Sequence, residues 1–331
     1  MAFENTKLFD DISLLAIKKY NFPDSARTRL LQFSENATYL VYDCVTGKQL
    51  GVLRISRPGY HTVAELHSEI AWLKQISEDT PVAVANLIKG SDKRSIQSIL
   101  GPEGRRYYCI MTEFLAGTTP DEKEEQEVVK QFISLGEITA YLHRHTQTWK
   151  EAAKQQRIHW TYDNMIGDTP VWGKWQATKD LTGEMTDTLT KTSCVVKKRL
   201  ECYGRDNKNY GLIHADLRLA NLIIENETIK VIDFDDCGFG WYLQDLASSV
   251  SFIETKPMVP ALIDAWLTGY TKILPFSKKD FQEIDTFIMQ RRLQLMAWLA
   301  SHEESTPVKE LSCGFTDGTM KLAERYLSIF G

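Results

Sequence analysis

At 331 residues, with 43% hydrophobic and 25% charged content, the chain has the composition of an ordinary globular protein, long enough for two subdomains sharing a cleft. A formal net charge of -5 argues against non-specific nucleic-acid binding and against an anionic membrane surface as a partner. Six cysteines without a C-x-x-C pair or zinc spacing read as reduced thiols, and the sequence shows neither a basic leader nor an apolar window of membrane length, so the expected location is the cytoplasm.

Residues 7–20 space Leu8, Ile12, Leu15 and Ile17 as a short amphipathic helix. Three strands are expected next, at 28–33, 38–43 and 49–55, joined by Ser34-Glu35-Asn36-Ala37 and Thr46-Gly47-Lys48 into an antiparallel meander. Alternation along the third gives Val52, Arg54 and Ser56 one face and Leu53 and Ile55 the other. A helix over 62–76 carries Val63, Leu66, Ile70 and Leu73 as its stripe, with Glu65 and Glu69 on an adjoining face, where they either oppose Lys74 or reach Arg54. A strand from Pro81, a polar turn at Gly90-Ser91-Asp92 and two further strand-like runs follow, the last an apolar run over 107–117 that ends in glycine.

The charged block Asp121-Glu122-Lys123-Glu124-Glu125 opens a helix through Val128, Phe132, Leu135, Ile138 and Leu142, near whose end His143 and His145 call for no metal. Over 146–187 the periodicity fails and Trp149, Trp160, Trp172 and Trp175 gather. Either they wall a substrate pocket together with Asp163 or Asp168, or they fasten an irregular segment. Helices are expected around 185–203, from Trp241, and over about 260–274, 279–301 and 316–330.

The chemistry concentrates in residues 211–240, GLIHADLRLANLIIENETIKVIDFDDCGFG. Asn221 opens the apolar run 222–224, Asp233 closes the run 229–232, and the polar Glu225-Asn226-Glu227-Thr228 lies between, which is a hairpin signal. Asn221 and Asp233 are equidistant from Glu227, so antiparallel pairing brings both to the open end, where two oxygen ligands suit Mg²⁺. Asp216, five residues before Asn221 on the loop leaving a strand at 211–213, can reach the same point and is the candidate base. Singly such residues are turn formers; three at this spacing point to phosphoryl transfer.

The order His214-x-Asp216-x4-Asn221, followed by an Asp after a hairpin, matches the kinase loop pattern H-x-D-x4-N with its metal-binding Asp. With HADLRLAN, and IDFDD in place of DFG, the chain resembles the aminoglycoside phosphotransferase and choline kinase superfamily. Within it the resemblance is to the group of homoserine-kinase-like, hydroxylysine-kinase-like and stress-response-kinase-like proteins. The resemblance implies an α+β, bilobal protein-kinase-like fold. An antiparallel-sheet lobe with one main helix and the hinge would cover 1–116, and a mostly helical lobe 117–331, with an insertion at about 146–187. It also implies ATP, Mg²⁺ and transfer of the γ-phosphoryl group to a hydroxyl of a small molecule, of the amino alcohol or hydroxy amino acid type.

On that resemblance Asp216 orients the hydroxyl and accepts its proton, while Asn221 and Asp233 hold Mg²⁺ with Asp235 beside them. Arg218 stands where protein kinases carry a catalytic-loop lysine, as a γ-phosphate contact or a surface arginine; His214 braces the loop and Asp245 anchors it. The turn SENAT lacks the glycines of a phosphate loop, leaving Ser34, Asn36 and Thr38 as candidate phosphate contacts. Arg54 replaces the usual lysine, with Glu69 as its expected partner, and backbone groups of Glu113 and Leu115 are candidates for the adenine edge. A monomer or homodimer binding neither nucleic acid nor membrane is expected. Three alternatives stand beside this reading: a protein Ser/Thr kinase of stress-response type, an aminoglycoside resistance kinase, and a nucleotide-binding regulator without turnover.

Overall fold

The computed structural model describes residues 6–33, 36–120, 125–226, 228–302, 308 and 311–331. The chain forms two compact units. The first comprises Met1–Thr118, Lys154–Arg157 and Ile223–Ile232; the second comprises Thr119–Ala153, Ile158–Leu222 and Asp233–Gly331. The expected turn residues Ser34 and Glu35, the turn residue Glu227 and the charged block from Asp121 to Glu124 lie outside the described residues.

In the first unit α1 (Thr6–Ile17) precedes β1 (Ala26–Phe33), β2 (Asn36–Asp43) and β3 (Gln49–Ser56), and α2 (Val63–Asp79) follows. After the short β4 (Ala83–Val84) come β5 (Ile96–Leu100) and β6 (Arg106–Thr112). Five of these strands form one antiparallel sheet in the order β1-β2-β3-β6-β5. Alternation decides which face is buried. Tyr39 and Val41 of β2, Leu53 and Ile55 of β3, and Cys109 and Met111 of β6 pack with Phe9, Ile12 and Ala16 of α1. Burial of each large side chain there stabilises the unit by about 1.5–3 kcal/mol. Arg54, one residue out of phase, emerges on the opposite face.

In the second unit α3 (Glu125–Thr148) leads into the tryptophan-rich segment, which holds only α4 (Tyr162–Met165) and two 3₁₀ turns. The segment is followed by α5 (Gly183–Tyr203) and β7 (Tyr210–Ile213). The hairpin of β8 (Leu222–Glu225) and β9 (Thr228–Val231) joins β4 in a three-stranded sheet of the first unit, with β4 and β9 parallel. The chain then returns through β10 (Gly238–Trp241) to α6 (Leu243–Ser249), α7 (Val259–Tyr270), α8 (Lys278–Ser301) and α9 (Phe315–Phe330). Helices α3 and α7 approach backbone to backbone at two glycines. A Cβ on Gly136 would stand 1.9 Å from the Trp266 carbonyl oxygen, and one on Gly269 1.8 Å from that of Ile133.

One expectation is corrected. Trp241 does not begin a helix; it ends β10, which pairs antiparallel with β7 in the register Gly238↔Ile213 and Trp241↔Tyr210. The two glycines hide the strand's alternation, and at Gly238 a Cβ would stand 2.6 Å from the Ile158 carbonyl oxygen. Among the described residues no helix is long and apolar enough to cross a membrane.

Candidate active site

In the first unit, Glu65 and Glu69 take different jobs. Thr62 caps α2: its hydroxyl accepts from Glu65 N–H at 3.2 Å, while Glu65 Oε2 accepts from Thr62 N–H at 2.7 Å. That commits Glu65 to the helix start. Glu69, one turn on and 2% exposed, accepts from Arg54 Nη2 at 2.7 Å. Lys74 faces Glu78 instead, at 3.7 Å. A second guanidinium that the sequence did not single out, Arg157, lies 3.8 Å from the same Glu69 oxygen, and its Nη1 donates to the Glu65 carbonyl at 3.3 Å. The 154–157 segment is tied to α2 by a further bond, from Gln156 N–H to Ser68 Oγ at 2.8 Å.

Asn36 is buried at the start of β2, where its side-chain oxygen accepts from Arg57 N–H at 3.4 Å. Glu113 is half-buried; its N–H donates to the Asn86 carbonyl at 2.9 Å, so its own carbonyl is the backbone group left for a ligand. Leu115 is half-buried, two residues before Gly117. Gly117 has φ +129°, and a Cβ there would lie 2.4 Å from the Ile224 carbonyl oxygen, so only glycine allows the chain to bond Thr118 to Ile224 here.

In the second unit, the β7–β10 pair sets the candidate residues. Ile213 faces Gly238, so the loop leaving β7 and the loop entering β10 emerge at the same end, and the His214 and Phe234 rings meet at 4.6 Å. Both loops use left-handed backbone at non-glycine positions, Ala215 at φ +68° and Asp233 at φ +66°, each costing about 1–2 kcal/mol. At Ala215 the cost is met by Asp245, a fully buried carboxylate on α6. Its Oδ1 accepts from Ala215 N–H at 2.7 Å and its Oδ2 from His214 N–H at 3.2 Å, while Ser248 Oγ donates to the Ala215 carbonyl at 2.9 Å. His143 completes the support. Its Nε2 lies 3.1 Å from Asp245 Oδ2 and its Nδ1 3.0 Å from Tyr270 Oη, and burial lowers its pKa below the ordinary value against the opposing pull of Asp245. A neutral ring with its proton on Nε2 satisfies both partners, since a carboxylate can only accept.

Asp216 follows directly. Asn221, buried in a 3₁₀ turn, donates through Nδ2 to the Asp216 carbonyl at 2.8 Å and to its Oδ2 at 2.9 Å. Both amide hydrogens are thereby used, which turns the Asn221 side-chain oxygen away as a donor atom for a hard cation. His214 is fully buried and accepts from Asp216 N–H at 3.4 Å, a bracing contact. Arg218 Nε reaches Asp216 Oδ2 at 3.3 Å, with its guanidinium 5.7 Å from the Phe252 ring. Asp233 is exposed and Asp235 is 5% exposed. Asn221, Asp233 and Asp235 carry only oxygen donors, the kind that suits Mg²⁺ rather than a thiolate- or imidazole-bound metal, and are the candidate ligands. Among the described residues no group of three His, Cys, Asp or Glu side chains could hold a metal.

One feature of this unit went unread in the sequence. Arg291 of α8 is 2% exposed, and its Nη2 donates to Asp216 Oδ1 at 2.5 Å. The tryptophan-rich segment also reaches the centre: Trp160 Nε1 donates to the Asp236 carbonyl at 2.9 Å, and the Trp172 ring lies 5.2 Å from the Arg291 guanidinium carbon. Asp163 and Asp168 are exposed.

The sequence profile of the phosphotransferase enzyme family matches residues 29–276. The structure is similar to that of the microcompartment-associated aminopropanol kinase, with a TM-score of 0.87, 38% identity, and coverage of 97% of this chain and 98% of that one. An amicoumacin kinase solved with AMP-PNP and Ca²⁺ shares the fold, with a TM-score of 0.74 at 18% identity over 93% of this chain and 92% of that one. The amicoumacin kinase of Bacillus subtilis strain 168 is 23% identical over 274 residues, covering 80% of this chain and 76% of that protein.

Proposed function

The chain belongs to the phosphotransferase enzyme family and is a small-molecule kinase; from that premise we propose that it moves the γ-phosphoryl group of ATP, with Mg²⁺, to the hydroxyl of a small amino alcohol. The observation that carries the reading is the Asp216–Asn221 arrangement. One amide binds the candidate base through both its hydrogens and offers its oxygen outward, so base and metal ligand are set in one rigid loop. Asp216 orients the acceptor hydroxyl and takes its proton. In a loose transition state, that positioning matters more than basicity. Mg²⁺, when bound through Asn221, Asp233 and Asp235, supplies charge neutralisation on the phosphates.

Arg54, held by Glu69, is assigned to the α- and β-phosphates, and Arg218 to the group in transfer. The Glu113 carbonyl and Leu115 N–H are assigned to the adenine edge. The relative at 38% identity is an aminopropanol kinase, which supports an amino alcohol as acceptor, and the six free cysteines, without a C-x-x-C pair, support a cytoplasmic location.

The test is Mg²⁺-dependent ADP release across amino alcohols, hydroxy amino acids, aminoglycosides and a generic protein acceptor, with Asp216→Asn alongside. Stimulation of the wild type alone by an amino alcohol is expected. Stimulation only by a protein or an aminoglycoside would overturn the acceptor class, and equal turnover by Asp216→Asn would remove Asp216 from the reaction.

A further inference from the structure

Helix α8 is buried on nearly all sides from Ile284 to Leu299, yet it carries Gln290, Arg291, Arg292 and Gln294 inside that stretch. Fully buried arginines need paired partners, and these two have different ones. Arg292 is a fastener. Its Nη1 donates to Glu254 at 2.5 Å, its Nε to Thr319 Oγ1 at 2.8 Å and its Nη2 to the Phe315 carbonyl at 2.8 Å, which ties α9 and residue 254 to α8. Arg291 also touches that turn, donating from Nε to Ser251 Oγ at 3.1 Å, and from Nη1 to Gln294 Oε1 at 3.1 Å. Its third branch goes to Asp216 Oδ1, 75 residues away in sequence.

We propose that Arg291 is a positioning residue for phosphoryl transfer, fixing the plane of the Asp216 carboxylate so that the acceptor hydroxyl meets it in one orientation. The terminal torsion of an aspartate is broad and does not select a plane by itself. Arg291 on Oδ1 and Asn221 on Oδ2 bond opposite ends of the carboxylate and remove that freedom. Ser251, Gln294 and the Trp172 ring in turn hold the guanidinium, so it is a rigid fork rather than a swinging side chain. The remaining contact on Oδ2, Arg218 at 3.3 Å, is long and one-third exposed on the arginine side, and it marks the place where a hydroxyl can enter. The acceptor proton then passes to Asp216, the acceptor oxygen–phosphorus bond forms, and the bond from γ-phosphorus to the bridging oxygen breaks, its electron pair leaving with ADP. This inference rests on the reading of Asp216 as the base.

The experiment sets Arg291→Gln, Arg291→Lys, Arg292→Gln and Asp216→Asn against the wild type, with ATP and the amino alcohol that gives most turnover, at a temperature where all four variants are folded. Arg291→Gln is expected to lower kcat about 100-fold with the KM for ATP unchanged within about threefold. Arg291→Lys should recover about tenfold of that loss, since one donor to Asp216 is kept. Arg292→Gln, which strands the buried Glu254, should lose more thermal stability than Arg291→Gln yet keep kcat within about threefold. If Arg291→Gln keeps kcat, or if both glutamine variants lose it equally, the positioning role is wrong and Arg291 is only a fastener. If Asp216→Asn turns over like the wild type, the reading of Asp216 itself has failed. An inactive Asp216→Asn beside a fully active Arg291→Gln sinks the present inference alone.

Discussion

Asp245→Asn isolates what holds the reactive loop. The substitution keeps size and shape but replaces one accepting oxygen by a donor. With its amide nitrogen at the Oδ1 position, the asparagine faces Ala215 N–H, which Asp245 accepts at 2.7 Å. Flipped, it faces His214 N–H and His143, which sit 3.2 and 3.1 Å from Oδ2. His143 can change tautomer because Tyr270 can then accept, but a backbone N–H cannot. Either flip therefore abandons one buried backbone donor and discharges the acceptor of the others, a loss of about 2–4 kcal/mol. For a unit of this size the thermal midpoint should fall by roughly 5–10 °C. The left-handed Ala215, no longer compensated, relaxes and moves Asp216, and a shift of about 1 Å at a reacting group costs about 100-fold in kcat. Calorimetry and initial rates with ATP and an amino alcohol measure both. A variant melting within about a degree of the wild type and turning over normally would refute the claim that Asp245 sets the loop.

Arg54→Met should raise the KM for ATP at least about tenfold, the value of one charge-assisted contact, while stability changes little because Arg157 still faces Glu69; steady-state kinetics and a melting curve check the two halves. His143 gives a pH dependence of stability. The folded state keeps the ring neutral, so the unfolded chain binds more protons once pH falls below about 6.5, and stability declines there. Melting midpoints between about pH 5 and 8 should show that decline in the wild type and less of it in His143→Gln. Native protein should expose four of its six thiols to a thiol reagent, Cys44, Cys194, Cys202 and Cys313, with Cys109 and Cys237 reacting only on unfolding; burial pushes the Cys109 thiol up as well.

The loop residues were legible because their meaning is local. His214, Asp216 and Asn221 are marked by their spacing along one turn, and the meander and α2 follow from period; periodicity leaves Glu65 and Glu69 open, and the family resemblance points to Glu69 as the partner of Arg54. What stayed hidden depends on contacts between distant segments. Arg157 lies in a stretch without periodicity, and nothing in its neighbourhood marks it as a partner of Glu69. β10 is masked by two glycines, Gly238 where Ile158 approaches and Gly240 where the Ile213 side chain does. For Arg291 a signal was present. Gln290, Arg291, Arg292 and Gln294 interrupt the otherwise apolar stretch 287–299, and charges that cannot reach water must meet buried partners. In the tryptophan-rich segment the fastening reading matches the burial of Trp160 and Trp175, while Trp172 packs onto Arg291.

Transfer to a carbon-bound hydroxyl is read out by ³¹P NMR of the products formed from Mg²⁺-ATP and an amino alcohol. A phosphomonoester resonance growing in step with ADP, and absent with Asp216→Asn, is the predicted result; inorganic phosphate equal to the ADP released, with no ester, would contradict it.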